Sequence, residues 1–255
     1  MVMQNPTDWK EFKAIDYLEE YYADVGPENW ALLQFLARAF REVPEYSTVL
    51  DFGGGPTIYA LISAANRRRE IHVYDYLEAN LDEVRKWIQR EPDAFDWHEF
   101  ISKALEAEGE PFTSYTVHKR AAAIRGQVTR VSRGDASQPY RAGTSTHQYD
   151  VVMSNFCADS VTDDRVAWQQ YVSNIASYLK PDGRFILSTL KEAHSYTVGQ
   201  KTFPAVFLTE HDLTNVLVEV GCAPDSIVIE SVPADRPSRH YQGLMFAVAT
   251  KLPLA

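Results

Sequence analysis

The sequence is poor in cysteine and in long apolar runs, and each shortage excludes a class of protein. Cys157 and Cys222 are the two cysteines among 255 residues, which is too few for a disulfide framework or a structural zinc site. No run of about 18 apolar residues occurs, and Met1 to Lys10 lacks the charged and apolar regions of a signal peptide. We therefore expect a reduced, cytoplasmic protein that holds no metal and is neither secreted nor inserted in a membrane.

Basic residues are also scarce, because 25 Lys+Arg against 35 Asp+Glu give a formal net charge of -10. Proteins that bind nucleic acid usually present a basic face, whose affinity comes from counterion release, so DNA and RNA are not expected partners. Arg67, Arg68 and Arg69 form the one basic cluster of the sequence. They follow a predicted helix, near whose carbonyl end cations are ordinary solvated residues.

Apolar runs alternate with amphipathic stretches from residue 48 onward. Such alternation is typical of a doubly wound α/β fold, in which helices cover both faces of a mostly parallel sheet. The predicted strands are 48–52, 71–75, 127–132, 149–154, 184–190, 226–231 and 243–250, the last of them antiparallel. The predicted helices are 56–66, 78–90, 164–179 and a helix capped by Thr209 that ends at Gly221. Lys180 to Gly183 is predicted to form the turn after the third of these helices.

The size and composition of the chain predict a single domain, 1–255, because 45% hydrophobic residues can bury one large core. Residues 1–45 are rich in aromatic side chains and are predicted to form an N-terminal helical cover. Residues 48–190 are predicted to form a cofactor-binding core. Residues 191–255 are predicted to form a cap on the side of the second substrate, together with the final strands.

Two segments interrupt the regular pattern. Glu91 to Arg125 is acidic and prone to form helix, and it is predicted to be an insertion on the surface. Lys191 to Leu208 is irregular and directly follows the carboxyl end of a predicted strand. In open α/β sheets that edge faces the ligand crevice, so this segment is expected to contact a second substrate.

A glycine turn follows the first strand and indicates a nucleotide-like cofactor. Gly53, Gly54 and Gly55 come directly after Asp51-Phe52 and before a predicted helix. Glycines allow positive φ and a close approach of the backbone to a ligand, and the helix start presents free amides at the same place. The dinucleotide pattern G-x-G-x-x-G is incomplete, because Ile58 stands at the third glycine position. An NAD-dependent oxidoreductase is therefore disfavoured.

Three aspartates, Asp51, Asp75 and Asp135, stand at or just after the ends of predicted strands. Each alone could cap a turn. Asp75, placed roughly 20 residues after the glycines, would accept hydrogen bonds from ribose hydroxyls. Asp51 would repel a pyrophosphate but attract a cationic amino-acid moiety, and the turn Asp135-Ala136 suits an adenine. S-adenosylmethionine combines these three parts.

Longer segments resemble a known family, the methyltransferases that include the nicotinamide, phenylethanolamine and indolethylamine N-methyltransferases. The resemblance covers nearly the whole chain, and its specific part is the run from Lys86 to Trp97, which contains Glu-Pro-Asp-Ala-Phe-Asp-Trp. Further matching segments are Asp16–Tyr22, Asp51–Tyr59, Asp75–Leu81, Leu179–Gly183 and Gly243–Phe246. The resemblance implies a Rossmann-like, seven-stranded, mostly parallel sheet of the class I methyltransferases, with small cap insertions and S-adenosylmethionine as cofactor.

The resemblance also implies a set of cofactor-binding residues. Tyr17 and Tyr22 would close over the cofactor, although core packing of an N-terminal helix explains them as well. Asp75 and Asn80 would hold the ribose, and Asn155 would contact the methionine part. The full implied set is Tyr17, Tyr22, Asp51, Gly53, Gly55, Thr57, Tyr59, Asp75, Tyr76, Asn80, Asp135, Ala136 and Asn155.

The acceptor side differs from these relatives. Thr189 and Arg239 stand where charged-amine or nicotinamide enzymes of the family have acidic residues, which favours a neutral or acidic aromatic acceptor. Aromatic rings, including Phe207, would stack on a flat acceptor, although core packing or solvent exposure explains several candidates equally well. The acceptor-positioning candidates are Tyr21, Thr189, His194, Tyr196, Phe203, Arg239 and His240.

The predicted function is a cytoplasmic, S-adenosylmethionine-dependent methyltransferase that transfers a methyl group to a small aromatic metabolite, at the nitrogen of an amine or of an N-heteroaromatic ring. The sequence identifies no catalytic residue with certainty and leaves open whether a general base is used, since a neutral amine, a pyridine nitrogen or an electron-rich ring carbon needs none. One alternative is carbon methylation of an indole-like ring in a neutral or acidic acceptor. Another is a methyltransferase-like binding protein without catalysis. The sequence predicts no oligomeric state.

Overall fold

A computed structural model describes residues 9–141, 148–236 and 240–253. The helices are α1 Ala14–Tyr22, α2 Pro27–Arg41, α3 Tyr59–Ala64, α4 Glu78–Gln89, α5 His98–Glu108, α6 Ser114–Gln127, α7 Arg165–Ala176 and α8 Glu210–Glu219. The strands are β1 Thr48–Phe52, β2 Glu70–Asp75, β3 Val128–Arg133, β4 Tyr149–Asn155, β5 Leu179–Lys191, β6 Ser195–Val198, β7 Lys201–Pro204, β8 Val228–Pro233 and β9 Gly243–Thr250.

Seven strands form one sheet in the order β3-β2-β1-β4-β5-β9-β8, and β6 with β7 forms a separate hairpin. The pairs β1 with β2, β2 with β3 and β4 with β5 are parallel, whereas β9 is antiparallel to both β5 and β8. The predicted mostly parallel α/β sheet with an antiparallel last strand is therefore confirmed. No helix among the described residues is long and apolar enough to cross a membrane.

The chain divides into two compact units. The first unit is Lys13–Gly134, and the second is Asp135–Ala255 together with Met1–Phe12, each as far as it is described. Hydrophobic burial explains the first unit's sheet, since Val49, Leu50 and Ile71 are fully buried. The prediction of a single domain stays a prediction.

The segment from Glu91 to Arg125 is not a surface insertion, and that prediction is wrong. It forms most of α5 and α6, and the side chains of Trp97, Phe100 and Leu105 are buried. Although the segment is acidic, its helices are amphipathic, because apolar residues recur every three to four positions on one face. Two charged side chains of this segment are also buried, and they form an ion pair in which Arg120 Nη2 lies 2.7 Å from Glu108 Oε2.

Arg69 also contradicts the sequence prediction, because it is 5% exposed rather than solvated. Its Nη1 donates to the carbonyl oxygen of Ala64 at 2.7 Å, and its Nη2 donates to that of Val43 at 2.6 Å. Arg67 and Arg68 are exposed, as expected. Carbonyl groups at helix ends need donors, and the Arg69 guanidinium supplies them inside the first unit.

The second unit departs from prediction around Lys180 to Gly183. Helix α7 ends at Ala176, and β5 already begins at Leu179, so the predicted turn lies inside a strand. Asp182 has a φ of 60°, and the register with β4 shifts there, which identifies the turn as a bulge. The chain bends without leaving the sheet, which sequence patterns do not distinguish from a turn between elements.

Two further predictions for the second unit concern the cap at Thr209 and the segment 191–208. The first is confirmed and the second is confirmed in part. Thr209 caps α8, and the Asp212 carboxylate accepts hydrogen bonds from the backbone nitrogen and hydroxyl of Thr209, both at 2.9 Å. The segment 191–208 is less irregular than predicted, because β6 and β7 form a hairpin in which Tyr196 lies opposite Phe203.

Candidate cofactor and acceptor residues

Asp75, at the carboxyl end of β2, organises the predicted ribose site in the first unit. Its Oδ2 accepts from the Gly55 backbone nitrogen at 2.9 Å, and its Oδ1 accepts from Leu77 N at 2.9 Å and Asn80 Nδ2 at 3.0 Å. Burial raises the pKa of Asp75, and these hydrogen bonds oppose the rise. The Tyr76 backbone nitrogen also donates to this carboxylate, so Asp75 is held rigidly at the end of β2.

The glycine turn lies directly above β1. Gly53 and Gly55 have φ values of 70° and 62°, the left-handed region that favours glycine. Gly53 N donates to the Tyr74 carbonyl oxygen at 2.7 Å, and the buried Thr57 hydroxyl donates to the Gly54 carbonyl oxygen at 2.7 Å. These bonds fix the turn, so its backbone forms a preformed surface for a ligand.

Asp51 is buried below this turn without a hydrogen-bonding partner for either carboxyl oxygen in the described part of the chain. It is 1% exposed, and its Oδ2 occupies the space that a Cβ at Gly54 would need. Burial, helped by the negative charge of Asp75, raises the pKa of Asp51 to about 7. Because a buried charge without a partner is costly, this carboxyl group fits a cationic ligand.

Three of the predicted tyrosines meet near the turn. Tyr22, on α1, is buried and stacks on Tyr59 with ring centroids 5.2 Å apart. The hydroxyl oxygens of Tyr17 and Tyr22 are 3.5 Å apart, and Tyr17 Cε1 lies 3.9 Å from an ideal Cβ at Gly55. Burial raises the pKa of Tyr22 well above its ordinary value, so its hydroxyl stays neutral. Tyr22 is thus packed against Tyr59 in the core, and Tyr17 lies next to the turn at Gly55; whether either residue contacts the cofactor stays a prediction.

Tyr76 and Tyr21 are the more accessible members of the predicted set. Tyr76 follows Asp75 and is 44% exposed, with the Arg133 guanidinium carbon 4.6 Å from its ring centroid. Tyr21 is partly exposed and its ring lies 5.1 Å from that of Tyr17. Arg133 is a candidate that the sequence analysis missed, although the parallel pairing of the second and third strands places it beside Asp75.

In the second unit, Asp135 and Ala136 form a turn after β3. Asp135 Oδ1 accepts from the Ser137 backbone nitrogen at 2.9 Å, so its carboxylate caps the turn. The Ala136 carbonyl oxygen accepts from Asn174 Nδ2 at 2.8 Å. Asn155, at the end of β4, accepts the Ser188 hydroxyl at 2.6 Å, while its buried Nδ2 has no partner among the described residues. An amide donor is thus open at this strand end.

Asp159 is a buried acidic residue that the sequence analysis missed. It lies in the short turn Ala158–Ser160 after β4 and is 1% exposed. Its Oδ2 accepts from the Leu190 backbone nitrogen at 2.8 Å, whereas its Oδ1 has no partner in the described ranges. Burial raises the pKa of Asp159 to about 7. The signal was its position after a strand end, the same one that identified Asp51 and Asp135.

Thr189, the residue before Leu190, has a buried hydroxyl that lacks a partner within the described chain. Thr189 directly precedes Leu190, whose backbone nitrogen donates to Asp159. A buried hydroxyl of this kind normally has a hydrogen-bonding partner, so Thr189 stays an acceptor-positioning candidate.

The hairpin rings pack on the N-terminal segment. Phe203 stacks on Tyr196 at 5.6 Å and on Trp9 at 5.7 Å, and Phe12 meets its edge at 5.6 Å. Lys201 Nζ donates to Glu11 Oε1 at 2.7 Å, which ties the same two segments together. These contacts agree with the core-packing alternative for the two buried hairpin rings.

The two candidate histidines lie at the base of the hairpin and are exposed. The His194 ring centroid is 5.2 Å from that of Phe207. The Ser195 hydroxyl oxygen is 2.8 Å from His240 Nδ1. Arg239 lies outside the described residues. The exposure of both histidines agrees with the alternative that they are solvated loop residues.

Comparison with known proteins identifies relatives over almost the full length. The sequence is 32% identical over 257 residues to indolethylamine N-methyltransferase of Mus musculus, covering 96% of this chain and 95% of that one. It is 28% identical to nicotinamide N-methyltransferase of Homo sapiens, covering 94% and 93%. It is 29% identical to phenylethanolamine N-methyltransferase of Homo sapiens, covering 96% and 91%.

Solved structures share the fold at low identity. The CcbJ methyltransferase from Streptomyces caelestis superposes with a TM-score of 0.56 at 14% identity, covering 95% of this chain and 97% of that one. The N-methyltransferase NodS from Bradyrhizobium japonicum gives a TM-score of 0.55 at 11% identity, covering 94% and 99%. These matches confirm the class I methyltransferase fold.

A sequence model of the NNMT/PNMT/TEMT family matches residues 1–252. The predicted family, the predicted methyltransferase activity with transfer to nitrogen, and the predicted use of S-adenosylmethionine are confirmed by this match and these relatives. The chain belongs to the NNMT/PNMT/TEMT family.

Proposed function

We propose that this protein methylates the nitrogen of a small aromatic amine, which Asp159 receives. The observation that carries the proposal is the buried Asp159 carboxyl group, whose Oδ1 has no partner within the described residues. A buried carboxylate is stabilised by an opposite charge, and an ammonium group supplies both the charge and hydrogen-bond donors. The names of the similar proteins, which include amine N-methyltransferases, support the same class of acceptor.

Asp159 also provides a destination for a proton. An aliphatic amine is an ammonium ion at neutral pH, and its nitrogen has a free lone pair only after one proton leaves. A carboxyl group with a pKa of about 7 can take up that proton at the operating pH. The expectation of a neutral or acidic acceptor depended on Thr189 and Arg239 and did not include Asp159, so we favour an amine.

We propose that the first unit holds most of the cofactor. Bound S-adenosylmethionine supplies an electrophilic methyl group on a sulfonium. Asp75 and Asn80 bind the ribose hydroxyls, and Asp51 neutralises the ammonium of the methionine part, which fits its two unpartnered oxygens. The remaining proposed contacts in this unit are Tyr17, Tyr22, Gly53, Gly55, Thr57, Tyr59 and Tyr76.

Within the second unit, we propose that Asp135 and Ala136 frame an adenine and that the Asn155 amide donates to a ligand carboxylate. The acceptor-positioning candidates of this unit are Asp159, Thr189, His194, Tyr196, Phe203, Arg239 and His240. Tyr21 is the acceptor-positioning candidate of the first unit. We further propose that the protein is cytoplasmic, that it forms a single domain and that its partners are small molecules.

A four-compound acceptor panel tests the proposal. The purified chain is incubated with S-adenosylmethionine and an arylethylamine, a neutral pyridine carboxamide, an indole without an amine, or an aryl carboxylate. Mass spectrometry then locates the added methyl group. We expect N-methylation of the arylethylamine. Methylation at carbon, or turnover of the carboxylate in preference to the amine, would overturn the proposal.

Asp159→Asn keeps the shape of the side chain and removes its charge and its capacity to take up a proton. We expect kcat/KM for the amine to fall by roughly 100-fold or more. Asp163→Asn is the matched control, because Asp163 is exposed and lies four residues away. Equal activity of the two variants would contradict the assigned role of Asp159.

A further inference from the structure

Arg133 has an unusual environment for a cation in an acidic chain. It is exposed at the carboxyl end of β3, and its guanidinium carbon lies 4.6 Å from the ring centroid of Tyr76. No ion pair or hydrogen bond of its guanidinium occurs within the described residues. Its one side-chain partner there is therefore an aromatic ring.

The backbone around this pair is fixed. Strands β2 and β3 pair in parallel with Arg133 in register with Asp75, and the Gly134 nitrogen donates to the Asp75 carbonyl oxygen at 2.9 Å. Gly134 allows this approach, because an ideal Cβ there would lie 2.8 Å from Tyr74 Cβ. The sheet therefore fixes the backbone of Arg133, and Tyr76 directly follows the last residue of β2.

The Tyr76 ring has room for a second partner. It is 44% exposed, and it makes no contact with another aromatic ring among the described residues. A cation that occupies one face of an aromatic ring holds that ring in place and leaves the opposite face for a flat ligand. Tyr76 directly follows Asp75, whose carboxylate is the proposed ribose ligand, so the neighbouring part of the cofactor is its adenosine half.

We propose that Arg133 is a positioning residue for cofactor binding, which holds the Tyr76 ring so that its open face packs against the adenosine half of S-adenosylmethionine. The inference rests on the proposed cofactor site in the first unit. Arg133 acts through Tyr76 and does not contact the reacting groups. It therefore affects the affinity for every ligand that contains the adenosine half and leaves the acceptor KM unchanged.

Calorimetric titration of the full chain tests the proposal with two ligands. S-adenosylhomocysteine contains both halves, and 5′-methylthioadenosine contains the adenosine half without the amino-acid part. Arg133→Met keeps much of the length of the side chain and removes the cation, Arg133→Lys restores a cation, and Tyr76→Leu removes the ring. Arg67→Met is the control for charge, because Arg67 is exposed in the same unit.

We expect Arg133→Met to weaken both ligands by about two- to fivefold, which is the range for an exposed cation over a ring. Arg133→Lys should recover most of the affinity, and Arg67→Met should leave it unchanged. In a Tyr76→Leu background, Arg133→Met should cause no further loss, because the two residues act as one unit.

Two results would overturn the proposal while leaving the proposed function intact. One is an Arg133→Met variant that binds both ligands as tightly as the wild type. The other is an equal loss in the presence and absence of the Tyr76 ring, which would assign Arg133 a direct or long-range electrostatic role. If the wild type bound neither ligand, the proposed cofactor site itself would fail.

Discussion

Asp51 makes cofactor binding depend on pH in a direction that can be worked out. Its carboxyl group has a pKa of about 7 in the free protein, because it is buried and lies near Asp75. A ligand ammonium binds the ionised form, so below the pKa the carboxyl group must first lose a proton. Each pH unit below 7 then weakens binding by about tenfold, or 1.4 kcal/mol. We expect the affinity for S-adenosylhomocysteine to be about tenfold weaker at pH 6 than at pH 8.

The assay is calorimetric titration at pH 6, 7 and 8 with two ligands and two proteins. 5′-Methylthioadenosine lacks the ammonium group, so its affinity should change little over this range and reports any titration of Asp75. Asp51→Asn should weaken S-adenosylhomocysteine at pH 8 by at least about tenfold and remove its pH dependence, because a neutral amide replaces the charge. A flat profile for the wild type, or an equal slope for both ligands, would refute the reasoning.

Three further predictions concern stability and binding. For Asp51, a folded pKa of about 7 against an ordinary 3.8 means that stability falls as pH rises from about 4 to 7, so Asp51→Asn should raise the melting temperature at pH 8. Asp75→Ala should weaken S-adenosylhomocysteine at least tenfold, about 1.4 kcal/mol, and unchanged affinity would show that the ribose binds elsewhere. Arg69→Met should lower the free energy of unfolding, measured in urea, by roughly 3 kcal/mol because it leaves buried carbonyl groups unpaired, whereas Arg67→Met should change it by less than about 0.5 kcal/mol.

The features that sequence reasoning predicted depend on short segments. The strand before Asp51, the glycine turn and the Thr209 cap each follow from neighbouring residues, since strand alternation, positive φ and capping are local properties. Asp75 was found in the same way, from its position after a strand. Each of these elements is present, with ends that differ from the prediction by at most a few residues.

The features that were missed depend on residues far apart in the chain. Arg69 is buried because carbonyl groups as distant as that of Phe40 approach it, 29 residues away. Phe203 stacks on Trp9, almost at the other end of the chain. Asp159 follows a strand, as Asp135 does, but only the folded chain shows that it is buried and that one of its oxygens has no partner among the described residues. Composition and periodicity do not indicate contacts between residues that are far apart in the chain.

Arg69 also has a consequence for cooperativity. Its guanidinium donates to carbonyl oxygens of Phe40 and Val43, which precede β1, and of Ala64, which follows it. These acceptors come together only when α2, β1 and α3 have all packed. Unfolding of any one of these elements removes acceptors from the Arg69 guanidinium. The three elements therefore gain stability from remaining folded together.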